Sequence, residues 1–216
     1  MAIVAIFHSA LGVRPGLVDF ANKLKTVGRE VHIVDQYDGQ VFDDYDEAGA
    51  YINEVGFPEL MTRAIQGVAD RPDGFVAIGF SNGAGMAEFV AANRPVSGVV
   101  MASGALPLET IGVTWPTGVP AQIHSTVDDP RREQNAIDSV KRAVEDAGGT
   151  VEVFDYPGSG HLFADSSMAD EYQPAEAELM LSRIKDFLDG IDQKLSLEAE
   201  AADRDRAAGD DENEPA

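Results

Sequence analysis

Six short apolar runs, with helical patterns between them, restrict the architecture of this chain more than any other feature. The runs are Ala2–His8, Glu30–Asp35, Gly74–Phe80, Ser97–Ala102, Val119–Thr126 and Thr150–Tyr156. Several are continuously apolar rather than alternating, which requires cover on both faces, and parallel strands receive that cover from their crossover helices. The segments between and after them, Leu17–Val27, Phe57–Ala69, Ala84–Ala92, Arg132–Ala147 and Pro174–Leu195, carry the helix period. Regular alternation of the two predicts a doubly wound α/β domain, a mostly parallel central sheet with helices on both faces. The 216 residues are enough to bury one full core, and residues 1–195 are expected to form that single domain. There is no internal repeat. The stretch 196–216 is rich in Ala, Asp and Glu without an apolar face, and reads as an acidic, disordered C-terminal tail.

One junction in this pattern carries chemistry. Gly79-Phe80-Ser81-Asn82-Gly83 follows the apolar run Phe75-Val76-Ala77-Ile78 and precedes the helical pattern from Ala84. A G-x-S-x-G sequence between a strand and a helix is a nucleophile elbow, a turn sharp enough to lift one hydroxyl clear of the sheet. Glycines two residues to either side remove the Cβ atoms that would collide there. An ordinary βα turn with a serine helix cap would share the five-residue pattern but has no need of downstream partners. Those partners are present. Asp128-Asp129-Pro130 follows the fifth run, and His161 lies in Tyr156-Pro157-Gly158-Ser159-Gly160-His161 after the sixth. Serine, acid, histidine is the chain order of an α/β-hydrolase. A hydroxyl is a poor nucleophile until an imidazole takes its proton, and a carboxylate must fix the tautomer of that imidazole. The ordinary alternative for one of the two aspartates is an N-cap, with Asp-Pro opening the next helix, and only one of the pair can serve the triad.

Composition removes several other classes. With no Cys, the chain has no disulfide, no Cys-bound zinc and no thiol nucleophile. The four histidines, at positions 8, 32, 124 and 161, show no metal-binding spacing, so no metal and no cofactor is expected. Met1–Phe7 is apolar but lacks a basic leader and is too short for a secretory core, and no run approaches the ~20 apolar residues of a membrane span. A soluble, cytoplasmic protein is the expectation. The net charge of -22 repels nucleic acid and anionic membranes, which leaves a small molecule as the expected partner. Lys is scarce beside Arg (5 against 11), a pattern that also suits adaptation to salt, although an acidic cytoplasmic enzyme is the simpler reading.

Two irregular stretches are expected near the carboxyl ends of strands, where open α/β sheets bind ligands. Tyr37–Gly56 is acidic and contains Phe42, Tyr45 and Tyr51; Leu106–Gly118 contains the single Trp, Trp115.

From Ile3 to Leu188 the sequence resembles the dienelactone hydrolases, small enzymes of the α/β-hydrolase fold. The resemblance is carried by His8-Ser9-Ala10-Leu11-Gly12 after the first strand, the Ser81 elbow, Asp129-Pro130, and Tyr156-Pro157-Gly158 with Gly160-His161 and Phe163. It implies Ser81 as nucleophile, Asp129 rather than Asp128 as acid, and His161 as base. It also implies an oxyanion hole from the backbone N–H groups of Ala10 and Asn82, and a substrate pocket near Ser9, Arg14, Trp115 and Phe163. Members that open dienelactone use Cys as nucleophile and place Glu in the loop after the first strand; here the positions hold Ser81 and Ser9. The two changes agree, because a hydroxyl has no low-lying anion for such a carboxylate to regulate. Arg14, Arg63 and Arg131 are the basic groups considered for a substrate carboxylate. The function implied is hydrolysis of carboxylic esters or lactones by a monomer or homodimer. A binding relative without turnover, and a thioesterase or acyltransferase using the same residues, are the alternatives.

Overall fold

The computed structural model describes residues 1–211. All six apolar runs are strands: β1 (Val4–Phe7), β2 (Val31–Val34), β3 (Phe75–Phe80), β4 (Val96–Ala102), β5 (Ala121–Thr126) and β6 (Val151–Tyr156). They form one sheet in the order β2-β1-β3-β4-β5-β6, and every neighbouring pair is parallel. The chain winds from β1 to one edge and then crosses back to β3 on the other side. The winding therefore reverses between β1 and β3, and the crevice outside their carboxyl ends is where such a sheet accepts a ligand.

Strand periodicity explains the two cores. Ala5, Phe7, Ala77, Val99 and Met101 face one side of the sheet. There they meet Leu60 and Ala64 of α3 (Phe57–Gln66), Ala87 and Val90 of α4 (Asn82–Asn93), and Val140 and Val144 of α6 (Gln134–Asp146). Val4, Ile6, Val76, Ile78 and Val100 face the other side. They pack on Leu17, Phe20 and Leu24 of α1 (Pro15–Lys25) and on Met180, Ile184 and Leu188 of α7 (Pro174–Asp211). Each Val, Leu, Ile, Phe or Met among them contributes roughly 1.5–3 kcal/mol when taken fully out of water, before entropy is charged against it.

Three expectations about organisation need correction. The stretch Tyr37–Gly56 is not irregular throughout, since it contains α2 (Tyr45–Val55). The Asp44 carboxylate accepts from the N–H groups of Asp46 (2.8 Å) and Glu47 (3.0 Å), which caps the helix. Ala48 is its only fully buried residue, and Tyr51, Ile52 and Val55 on the same face pack, half-buried, against the core. Leu106–Gly118 likewise contains a single helical turn, α5 (Leu108–Ile111). Finally, α7 runs past Leu195 to Asp211, so the expected structureless tail is helical as far as it is described. Ala, Glu and Arg are strong helix formers, and the side chains of residues 193–202 are exposed. Residues 212–216 of that expected tail lie outside the described residues. Among the described residues no helix is long and apolar enough to cross a membrane.

Candidate active site

The elbow forms because its glycines let three backbone segments meet. A Cβ on Gly79 would collide with the carbonyl of Gly83, and one on Gly83 would lie 2.5 Å from the carbonyl oxygen of His8 and 2.7 Å from the carbonyl carbon of Phe7. The amino end of α4 is thereby pressed onto the exit of β1. Between the glycines, Ser81 adopts φ 52° and ψ -115°. A side chain in that region costs on the order of 1–3 kcal/mol, and surrounding structure must hold it there.

His161 and Asp129 arrive from the carboxyl ends of β6 and β5. Val127 N–H donates to Tyr156 O (2.9 Å) and Asp128 N–H to Gly158 O (3.0 Å), which zips the two exits together. Thr126 Oγ1 donates to Gly160 O at 2.9 Å, and Gly160 N–H donates to Gln173 Oε1 at 3.0 Å. The carboxylate of Asp129 is thus brought to 2.7 Å from His161 Nδ1 through Oδ2, while Oδ1 accepts the Arg131 N–H at 2.8 Å. On its other side His161 Nε2 lies 2.7 Å from Ser81 Oγ. A carboxylate can only accept from Nδ1, so Nδ1 carries the proton and Nε2 is left to accept from the serine hydroxyl. Burial alone would push the Asp129 carboxyl up. The hydrogen bonds from His161 and Arg131, with the nearby charges, outweigh it and hold the group below its ordinary value.

The loop after β1 is fixed by a buried histidine. His8 Nδ1 donates to Ser9 O at 2.7 Å, and His8 Nε2 accepts from Gln36 N–H at 3.0 Å. These partners define a neutral tautomer, and burial lowers the His8 pKa, which favours the same state. In a trans peptide the N–H of Ala10 points opposite to the carbonyl of Ser9, and so away from His8. Asn82 opens α4, where the first N–H groups have no partner within the helix. Ser9 lies in a small cavity with Phe80 and Leu162, the neighbours in sequence of Ser81 and His161.

Of the residues expected to line a substrate pocket, Ser9 is buried beside Phe80 and Leu162 with its hydroxyl accepting the Leu11 N–H at 3.2 Å, and three others are engaged elsewhere. Arg14 is buried and spent on structure: its guanidinium donates to Phe42 O (2.7 Å), Asp43 Oδ1 (2.8 Å) and Ser167 Oγ (3.2 Å), tying three loops together. Trp115 packs in the core, and its indole N–H donates to Val119 O at 2.9 Å, just before β5 begins, at the opposite end of the sheet. Phe163 is fully buried, its ring 5.0 Å from that of Tyr156. Arg63 bonds Glu59 and the carbonyl of Gln36. Arg131 does reach the site, with its guanidinium 4.1 Å from the ring centroid of Tyr45. Glu171, whose carboxylate accepts the N–H of Leu162 at 2.6 Å, carries no sequence signal and was not expected at the site.

With this geometry in view, comparison with known proteins is informative. A sequence model of the dienelactone hydrolase family matches residues 1–191. No curated protein matches the chain. Among solved structures, a dienelactone hydrolase-like promiscuous phosphotriesterase from metagenomic libraries is similar at TM-score 0.74 and 17% identity, covering 88% of this chain and 87% of that one. The protein m3DLH is similar at 0.70 and 19%, covering 87% and 85%. The mouse α/β hydrolase domain-containing protein 10 is similar at 0.63 and 14%, covering 87% and 90%. At such identities the likeness is one of fold, and the fold is that of the α/β hydrolases.

Proposed function

This chain belongs to the dienelactone hydrolase family, and from that premise we propose that it cleaves carboxylic esters or lactones through Ser81, His161 and Asp129 by way of an acyl-enzyme. The observation that carries the reading is the unbroken relay of two 2.7 Å hydrogen bonds from Ser81 Oγ through the imidazole to Asp129. A buried relay ending on a serine in a strained, glycine-flanked turn has no evident structural purpose.

In the first half-reaction Ser81 Oγ attacks the carbonyl carbon and its proton passes to His161 Nε2. The bond from that carbon to the leaving oxygen then breaks, and the imidazolium returns the proton to the departing alkoxide. Asp129 stabilises the imidazolium without taking the proton itself. In the second half, water attacks the acyl-enzyme and gives its proton to Nε2, and the ester bond to Ser81 breaks as Oγ recovers a proton. The N–H groups of Ala10 and Asn82 receive the oxyanion in both halves, a contribution on the order of 2.7–4 kcal/mol per donor in comparable sites. The partner is a small uncharged ester or lactone, which suits a chain of net charge -22 better than an anion or a nucleic acid.

Labelling with a fluorophosphonate tests the reading. The expected result is one covalent adduct, mapped to Ser81, with parallel loss of turnover on a panel of short-chain aryl esters and lactones. A protein that binds such compounds but neither turns them over nor takes up the label would be a binder, not an enzyme.

A further inference from the structure

His161 is held from a second direction besides Asp129. Tyr45, on the first turn of α2, presents its ring to the imidazole in an edge-on arrangement, centroids 6.2 Å apart and planes at 68°. Its hydroxyl donates to both oxygens of Glu171, at 3.0 and 3.2 Å. The same carboxylate accepts the N–H of Leu162, the peptide immediately following His161, at 2.6 Å. Arg131 covers the Tyr45 ring while its own N–H sits on Asp129. Elements after β2, β5 and β6 are thus joined around one imidazole. The Tyr45 hydroxyl remains a donor at any working pH, because burial first, and then the charge of Glu171, push its pKa upward.

We propose that Tyr45 and Glu171 are positioning residues for His161, and that they matter most in deacylation. The inference rests on the hydrolase reading above. During acylation the imidazole has two tethers, Asp129 at Nδ1 and the Ser81 hydroxyl at Nε2. Once Ser81 is esterified it has no proton to donate, and the second tether is gone. The ring must then hold a water molecule in line with Asp129 as its only direct hydrogen-bond partner. The Tyr45–Glu171 brace fixes the peptide next to His161 at this step, and small misplacements of a reacting group can cost up to ~10²-fold in rate.

The experiment is steady-state and burst kinetics on a short-chain p-nitrophenyl ester, whose good leaving group makes acylation fast. Tyr45→Phe keeps the ring and removes only the bond to Glu171. It is expected to lower kcat about 10-fold and KM in parallel, to leave kcat/KM within about 3-fold, and to show a larger burst of p-nitrophenol as acyl-enzyme accumulates. Glu171→Ala should do the same or more. Glu171→Gln can still accept from Leu162 and bond the Tyr45 hydroxyl, so it should restore most of kcat. Wild-type kcat in Tyr45→Phe overturns the proposal, as does an equal fall in kcat and kcat/KM with no burst. Ser81→Ala in the same assay separates the two levels. If it retains turnover, the hydrolase reading and the brace fall together; if it is dead while Tyr45→Phe is normal, only the brace is wrong.

Discussion

The N–H of Ser81 donates to the carbonyl of Ala102 at 2.7 Å, so the residue at the tip of the elbow is still hydrogen-bonded to the neighbouring strand. Its main chain is held by that bond and by the glycine contacts on either side, not by its hydroxyl. Ser81→Ala is therefore expected to keep the melting temperature within about 2 °C of wild type, less than the ~2–4 °C that 1 kcal/mol represents for a domain of this size. Turnover should fall by ~10⁴–10⁶-fold. Purified variant retaining a tenth of wild-type activity would remove Ser81 from the mechanism.

The neighbours Asp128 and Asp129 should separate sharply. Asp129 is buried and bonded through both oxygens, whereas Asp128 is exposed and contributes only its N–H to Gly158. Asp129→Asn keeps the shape but offers an amide where His161 needs an acceptor, and in comparable triads this costs on the order of 10⁴ in kcat. Asp128→Asn should change stability by no more than ~0.5 kcal/mol and leave kcat unaltered. Equal kcat values for the two variants would show that the acid has been misidentified.

The contrast between these aspartates also shows what could be read from the chain alone. Strands were legible because burial on both faces forces unbroken apolar runs, and β3 could be located from Phe75-Val76-Ala77-Ile78 without any partner in view. The relay was legible because its chemistry admits few residue types in one order. Side-chain direction was not. Arg14, Trp115 and Phe163 stand near the right segments in sequence, but a loop can aim a side chain to either end of a sheet, and Trp115 is aimed at the far end. Tyr45 and Glu171 are joined by a hydrogen bond across 126 positions, and nothing local to either residue signals the other. Helix α2 is masked in the sequence because Gly49 and the acidic residues around it read as loop, although Tyr45, Ala48, Tyr51, Ile52 and Val55 recur at the helix period and the last three pack against the core.

Gly83 provides a test of the elbow that does not depend on activity. An added methyl would meet the carbonyls of Phe7 and His8, which belong to the central strand β1 and its exit and cannot swing aside as a side chain could. Gly83→Ala should cost about 1–3 kcal/mol, the usual range for overpacking. Gly190→Ala is the matched control, since it lies on an exposed part of α7 with no atom within 4 Å of the new carbon. There the substitution should stabilise by up to ~1 kcal/mol through helix propensity. Chemical denaturation of the pair would show whether the glycine requirement belongs to the elbow; equal effects would deny it.

Glu88 gives the stability a dependence on pH that can be isolated. It lies buried on α4, and both carboxyl oxygens face a single donor, the N–H of Leu106, at 3.0 and 3.2 Å. Desolvation pushes its pKa well above the ordinary carboxylate value, and the Leu106 bond only partly opposes this. The folded protein therefore keeps a proton that the unfolded chain releases near pH ~4.3. Stability from this group is present below that pH and declines as pH rises toward the folded-state pKa. Glu88→Gln is neutral throughout and retains a carbonyl for Leu106. The expected outcome is a smaller loss of melting temperature between pH 5 and pH 8 than in wild type, and a higher melting temperature at pH 8. His8, and His124 with its pKa lowered to about 3, lose stability as pH falls below ~6.5. They do so equally in both proteins, so the difference between the two profiles reports Glu88. A variant less stable than wild type at pH 8 would mean that the carboxylate is ionised and bonded in the folded state, and the burial argument would fail.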